Sequence, residues 1–430
     1  KIGNETSTIK DAAKFKTAFN TIQDLIKADK IVAGHDVASG GLITTLLELC
    51  FSDVNLGATI DLSSIGESDI VKLLFAENSG IIIQTNDNKA LEALLSESNV
   101  NFHVIGTSSE DGTLNIQIED GNLSFDVAKH RDIWYKTSHL LDQKQSGKKL
   151  ATERFNNYKE QALDFVFPKN FTGKLPELKE GQKKLKAAVI REKGSNSERE
   201  MAYMMEMAGF QVKDVHMTDL ISGRENLEDI QLIVAVGGFS NSDVLGSAKG
   251  WAGAFLYNEK ARTALDNFFA REDTLSLGVC NGCQLFIELG LINVNHEEKP
   301  KMLHNESGKF ECNFTSIEIQ DNKSVLLDSL AGSKLGVWAA HGEGKFSFPY
   351  EESQYNIVGK YGYEGYPANP NGSDFNTAIL TSDCGRHTVM MPHLERSIFP
   401  WNWGHYAKDR NDEVSPWILA FENAHNWLNK

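Results

Sequence analysis

The sequence is short of several things, and each shortage excludes a class. Its 430 residues include only 5 cysteines: Cys50, Cys280, Cys283, Cys312 and Cys384. A set that sparse and odd is not a disulfide scaffold and points to reduced thiols. Cations are in deficit, with 43 Lys and Arg against 59 Asp and Glu, for a formal net charge of −16. That balance argues against a dedicated nucleic-acid binder. Apolar runs are short. None approaches the ~18 residues of a membrane span, and Ile81-Ile82-Ile83 is strand-sized. There is no phosphate-binding G-x-x-x-x-G-K-[ST] loop and no repeat at solenoid periods. The chain starts at Lys1 without Met or a basic-then-apolar leader. The expectation is an internal start, in a piece of a longer cytoplasmic protein.

What is present is a globular composition, 41% hydrophobic and 24% charged. At ~100–200 residues per domain the length predicts two to four domains. Three parts follow from the pattern. In the first, through about residue 120, Ala18, Ile22, Leu25 and Ile26 recur at helical spacing. Ile31-Val32-Ala33 reads as a strand entering the Gly-rich turn His35 to Gly41, followed by a helix from Leu42 to Cys50. Alternating strands and helices continue to Gln84, so this part is mixed α and β. Residues 121–184 are Lys-rich with few apolar runs, and read as a helix plus a linker. Two readings stand for that charge, a solvated connector and a contact for an anionic partner. From Leu185 the pattern is βαβ, which predicts a largely parallel sheet. Ser195-x-x-Glu198 matches a capping box for the helix that ends before Gly209.

The sharpest chemical signal is Gly278-Val279-Cys280-Asn281-Gly282, between an apolar strand and a helix. G-x-C-x-G is the thiol form of the nucleophile elbow, a sharp strand-to-helix turn. Flanking glycines keep neighbouring chain clear, and the helix N-terminus presents partial positive charge to an anionic sulfur. The Asn281 N–H is then placed for an oxyanion. Three other readings of Cys280-x-x-Cys283 remain: half a zinc site, a redox pair, or an inert buried thiol. No second C-x-x-C or H-x-x-H lies nearby.

A base is available in Met391-Pro392-His393-Leu394-Glu395-Arg396. His393 and Glu395 stand at i and i+2 on one face of extended chain, so the carboxylate can orient the imidazole. Alone, such a pair reads as a surface His beside a charged rim. In the order Cys…His…Glu it reads as a triad. Gly237 and Gly238 end another strand and can offer a backbone N–H.

GVCNGCQ (Gly278 to Gln284) and MPHLER (Met391 to Arg396) resemble class I glutamine amidotransferases. A wider set resembles the glutaminase domain of the phosphoribosylformylglycinamidine synthase family. It comprises GGFSNSDVLGSAKGWA from Gly237, HNESGKFE from His304, HGEGKF from His341 and YPANPNGS from Tyr366. HDVASGGL (His35 to Leu42) and FAENSGIIIQ (Phe75 to Gln84) resemble the end of that family's synthetase half.

The resemblance implies an α/β, flavodoxin-like class I amidotransferase domain at 185–430. It implies an α+β synthetase C-terminal subdomain at 1–120, with the helical linker at 121–184 between them. It implies Cys280 as nucleophile, His393 as acid/base and Glu395 as its orienter. Gly238, Phe239 and Asn281 would form the oxyanion region and Gln284 would help hold glutamine. Asp36 would be a magnesium ligand whose partners lie upstream of Lys1; as a bare residue it reads equally as a turn cap. The implied partners are glutamine and a missing N-terminal synthetase half, with no nucleic acid and no membrane. ATP and Mg would serve the whole enzyme, the glutaminase step needing neither. The competing expectation is a stand-alone α/β cysteine amidase.

Overall fold

The computed structural model describes residues 8–160, 163–177 and 185–430. Part of the expected linker, at 161–162 and 178–184, lies outside the described residues. The chain divides into two units, Lys1–Leu141 and Asp142–Lys430.

The first unit runs α1 (Ala12–Lys27), β1 (Ala33–Asp36), α2 (Gly41–Cys50), β2 (Gly57–Asp61), α3 (Ile70–Phe75), β3 (Ile81–Gln84), α4 (Asn88–Glu97), β4 (Gly106–Ser109), β5 (Thr113–Ile118), β6 (Gly121–Asp126) and α5 (Val127–Gln145). Strands β4-β2-β5-β6 form one sheet and β1-β3 an antiparallel pair. Ile43 and Leu46 of α2 pack with Ile60, Leu114 and Ile116 of the sheet, so the helical stripe and the strand face bury each other. The chain turns into α2 through Gly40 and Gly41, at φ 88° and 72°. A Cβ on Gly41 would lie 2.7 Å from the Phe75 backbone, so only glycine fits. Two details differ from the sequence reading. The first strand begins at Ala33 rather than Ile31, and residues 121–126 are a strand paired with β5 rather than linker.

The second unit runs α6 (Gly147–Asn156), β7 (Lys186–Arg191), α7 (Glu198–Met207), β8 (Gln211–His216), α8 (Met217–Ser222), β9 (Leu232–Ala235), α9 (Lys249–Leu256), α10 (Glu259–Ala270), β10 (Leu275–Val279), α11 (Asn281–Glu288), β11 (Lys301–Leu303), β12 (Glu311–Ile319), β13 (Lys334–His341), β14 (Lys345–Ser347), β15 (Asn356–Tyr361), β16 (Thr377–Thr381), β17 (His387–Met390) and α12 (Leu419–Leu428). Nine strands form one sheet in the order β13-β12-β15-β16-β17-β10-β9-β7-β8. The run from β17 to β8 is parallel, and its central strands are buried on both faces, as β9 shows.

The largely parallel expectation holds for that run only: β16, β15, β12 and β13 are added antiparallel. Helices α7 to α11 supply the crossovers that parallel pairing needs, whereas β16 and β17 are joined by a short turn, which dictates antiparallel pairing. The expected capping box also fails. Helix α7 starts at Glu198, its N-cap is Ser197 at φ 71°, and no side chain caps it. The Ser195 hydroxyl instead donates to the Glu192 carbonyl at 2.8 Å. The Ser197 hydroxyl accepts from Arg396 at 2.8 Å.

Candidate active site

Cys280 sits where β10 becomes α11, with φ 51° and ψ −106°. An L residue with a Cβ avoids that region unless its surroundings enforce it. The glycines around it are forced by space. A Cβ on Gly278 would lie 2.6 Å from the Gly282 carbonyl oxygen, and one on Gly282 would lie 2.0 Å from that of Ala235. The turn thus lets α11 close onto β9 and β10 and lifts Cys280 off the strand ends. Cys280 is nonetheless only 6% exposed, and its Sγ lies 3.7 Å from the Ala340 carbonyl oxygen.

His393 follows β17. Its N–H donates to the Trp338 carbonyl at 2.8 Å, so β13 fixes its backbone. Its ring Nδ1 is 2.6 Å from Glu395 Oε1, and both residues are 1% exposed. Nε2 has no hydrogen-bond partner among the described residues. Burial alone would drive the imidazole toward neutrality. The Glu395 carboxylate and then Cys280 overturn this and push His393 up to about 10. Burial likewise opposes ionisation of Glu395, yet the charge of His393 holds its carboxyl below the ordinary range. The pair is therefore an imidazolium held by a carboxylate in a dry site, with one ring nitrogen left over for chemistry.

Gly237 lies between nucleophile and base. A Cβ there would be 2.8 Å from His393 Cε1 and 3.4 Å from Cys280 Cβ. We expect Gly237→Ala to displace the imidazole and cut turnover by ~10²-fold, since a misplacement near 1 Å costs that much. Overpacking should cost only ~1–3 kcal/mol. Turnover and a thermal melt on the same preparation check it; turnover near the parent's would show that the ring has room.

Of the expected oxyanion residues, the structure separates two from the third. The N–H groups of Gly238 and of Asn281, at the start of α11, have no acceptor among the described residues. Phe239 does not share this: its N–H donates to the Gly194 carbonyl at 2.9 Å, and its half-exposed ring lies against Phe310. The turn that broke the capping rule thereby receives the Gly237–Phe239 segment as a bridge partner. Gln284 is 4% exposed and both ends of its amide are engaged. Its Oε1 accepts from Asn281 Nδ2 at 2.8 Å, and its Nε2 donates to the Glu343 carbonyl at 2.7 Å.

Asp36 belongs to the first unit, at the end of β1, with its side chain 76% exposed. No group of three or more His, Cys, Asp or Glu suited to a metal occurs among the described residues. The described residues do not by themselves make a magnesium site.

Sequence reading missed the contribution of the antiparallel strands. Ala340 faces the sulfur, Trp338 holds the His393 backbone, and His341 ends β13, 2% exposed and without a partner on either ring nitrogen among the described residues. Burial first, and then the charge on His393, pushes His341 down to about 3, so it stands neutral. The HGEGKF motif was visible, but nothing in its spacing tied it to Cys280. No described helix is long and apolar enough to cross a membrane.

Comparison with known proteins assigns both parts. Residues 184–428 match the CobB/CobQ-like glutamine amidotransferase domain, and residues 1–119 the C-terminal domain of AIR synthase related proteins. A probable phosphoribosylformylglycinamidine synthase of Arabidopsis thaliana, named as chloroplastic/mitochondrial, is 37% identical over 99% of this chain and 32% of its own. The phosphoribosylformylglycinamidine synthase of Homo sapiens is 34% identical over 95% of this chain and 33% of its own. The chain thus spans about a third of the length of these relatives. Among solved structures, a chain of PurLQS from Thermotoga maritima is 27% identical, covering 57% of this chain and all of its own, with a TM-score of 0.46.

Proposed function

We infer the function from the premise that the chain belongs to the CobB/CobQ-like glutamine amidotransferase family: it hydrolyses glutamine to glutamate and ammonia through a thioester on Cys280. The observation that carries this is the strained Cys280 elbow set beside the buried His393–Glu395 pair. The Cys280 thiolate attacks the side-chain amide carbon of glutamine. The oxyanion takes the free N–H groups of Gly238 and Asn281. His393 passes its Nε2 proton to the departing nitrogen, and ammonia leaves. Nε2 then takes a proton from water as it attacks the thioester, which returns the thiolate and releases glutamate. Gln284 serves from behind, holding Asn281 and the Glu343 carbonyl rather than meeting solvent.

The curated relatives supply the wider reading. The ammonia goes to a synthetase half of the same polypeptide, which converts formylglycinamide ribonucleotide to its amidine at the expense of ATP, a step of de novo purine synthesis in the cytoplasm. Magnesium would serve that half, with Asp36 one of several ligands. The competing reading, an amidase that feeds no acceptor, has no observation that favours it over this one.

The test is mass spectrometry of the chain quenched after mixing with glutamine, looking for a glutamyl adduct on Cys280. We further expect slow glutamine turnover that ATP and formylglycinamide ribonucleotide leave unchanged. Coupling requires a ligand that distinguishes two states, and among the described residues no group of three or more His, Cys, Asp or Glu could hold the metal of a bound nucleotide. A several-fold stimulation would place such a site within the chain. No adduct and no turnover would sink the reading.

A further inference from the structure

The loop after the Gly237–Gly238 pair is held in a conformation its residues do not choose. Asn241, Ser242, Asp243, Ser247 and Ala248 all have φ between 45° and 60°, and none is glycine. Left-handed backbone at five such residues persists only where other contacts hold it.

Those contacts form a closed path. The Ser240 N–H donates to Asn281 Oδ1 at 3.1 Å. Asn281 Nδ2 donates to Gln284 Oε1, and Gln284 Nε2 to the Glu343 carbonyl. The Glu343 carboxylate then accepts from the Ser247 N–H and, at 2.8 Å, from the Ser247 hydroxyl. The path leaves the loop at Ser240 and returns to it at Ser247. Ser240, Asn281, Gln284 and Ser247 are each at most 5% exposed, so water cannot replace a broken member cheaply. Asp243 braces the loop internally by accepting from the Ala248 N–H at 3.1 Å. His304 Nδ1, 3.3 Å from Glu343 Oε1, belongs to an exposed side chain and adds little.

The ring has a position that matters. Ser240 lies two residues beyond Gly238, and Asn281 directly follows Cys280, so the ring ties together the segments that carry the two free N–H groups. We propose that Glu343 is a positioning residue for glutamine hydrolysis: by closing this ring it holds the strained 240–248 loop and sets the oxyanion donors against Cys280. This rests on the glutaminase reading above.

The experiment compares the chain with Glu343→Ala, Glu343→Gln and His304→Ala. Two rates are measured, glutamine turnover and alkylation of Cys280 by iodoacetamide. Alkylation attacks a saturated carbon and develops no oxyanion, so it reports the nucleophile alone. Glu343→Ala should lower kcat ~10- to 100-fold with the alkylation rate unchanged. Glu343→Gln keeps an oxygen acceptor for Ser247 and should recover most of the loss, while His304→Ala should match the parent. If Glu343→Ala does not fold, Asn281→Ala breaks the ring at its other arm, keeps the backbone donor, and should show the same split. Parent-like kcat in either variant, or alkylation falling in step with turnover, overturns the proposal. A parent chain that turns over no glutamine overturns instead the reading beneath it.

Discussion

Cys280→Ala is expected to abolish glutamine hydrolysis, by ~10⁴-fold or more, while Cys283→Ala leaves most of it. The two thiols stand three residues apart and differ in everything that governs reactivity. Cys280 occupies the strained turn, with the start of α11 behind it and His393 coupled to it. Cys283 lies inside α11, fully buried, and burial pushes its thiol well above the ordinary range, with Cys280 adding to the effect. A thiol so placed is a small apolar packing group. Its truncation should cost about 1 kcal/mol of stability and little rate. Turnover and thioester formation in both variants give the answer. Equal damage would revive the readings in which the two sulfurs act together, as a redox pair or as half a metal site.

The elbow was legible because its signal is local. Gly278 and Gly282 are required by contacts with the turn's own helix and the adjacent β9, and such requirements leave a fixed spacing in the sequence. The His393–Glu395 pair was legible for the same reason, being an i, i+2 relation within one extended segment. What was not legible depends on chain that arrives from far away. The antiparallel strands bring Ala340 to the sulfur across 60 positions. Glu343 reaches Ser247 across 96. No periodicity records either distance. Phe239 enters the expected oxyanion region only through the family resemblance; its N–H is paired with the carbonyl of Gly194, at the end of a different strand–turn unit. The capping box at Ser195 failed where this same turn meets the site, since Arg396 and the Gly238 bridge fix the backbone there against local preference. The fold class was readable from βαβ spacing up to α11. Beyond it the expectation of a largely parallel sheet fails, because β12, β13, β15 and β16 pair antiparallel through contacts that local spacing does not record.

Glu395→Gln is expected to leave the fold intact and to slow turnover by ~10²–10⁴, with a change in pH dependence that a merely structural carboxylate would not cause. In the parent, burial is the largest influence on His393 and acts to discharge it; Glu395 is the first of the groups that reverse it. Glutamine at position 395 keeps a hydrogen-bond acceptor but removes the charge. Burial is then opposed by Cys280 alone, and His393 should titrate below its parent value of about 10. The general acid that protonates the leaving nitrogen is lost at neutral pH, so the variant's kcat should improve as pH is lowered, whereas the parent's does not need it. Stability carries the same signature with a definite sign. An imidazole that titrates near 6.5 when unfolded and at about 10 when folded stabilises the native state fully below pH ~6.5, and that contribution drains away as pH rises through about 10. Glu395, held low in the native state, contributes in the opposite sense: its stabilisation is present above ~4.3 and is lost as pH falls through its depressed value. Denaturant melts of parent and variant from pH 4 to pH 10 should therefore differ most between about pH 4.3 and 6.5, where both contributions are in place, and converge as pH rises toward 10. A variant with parent-like rates and a parallel pH–stability curve would reduce Glu395 to a buried charge with no part in the proton transfer.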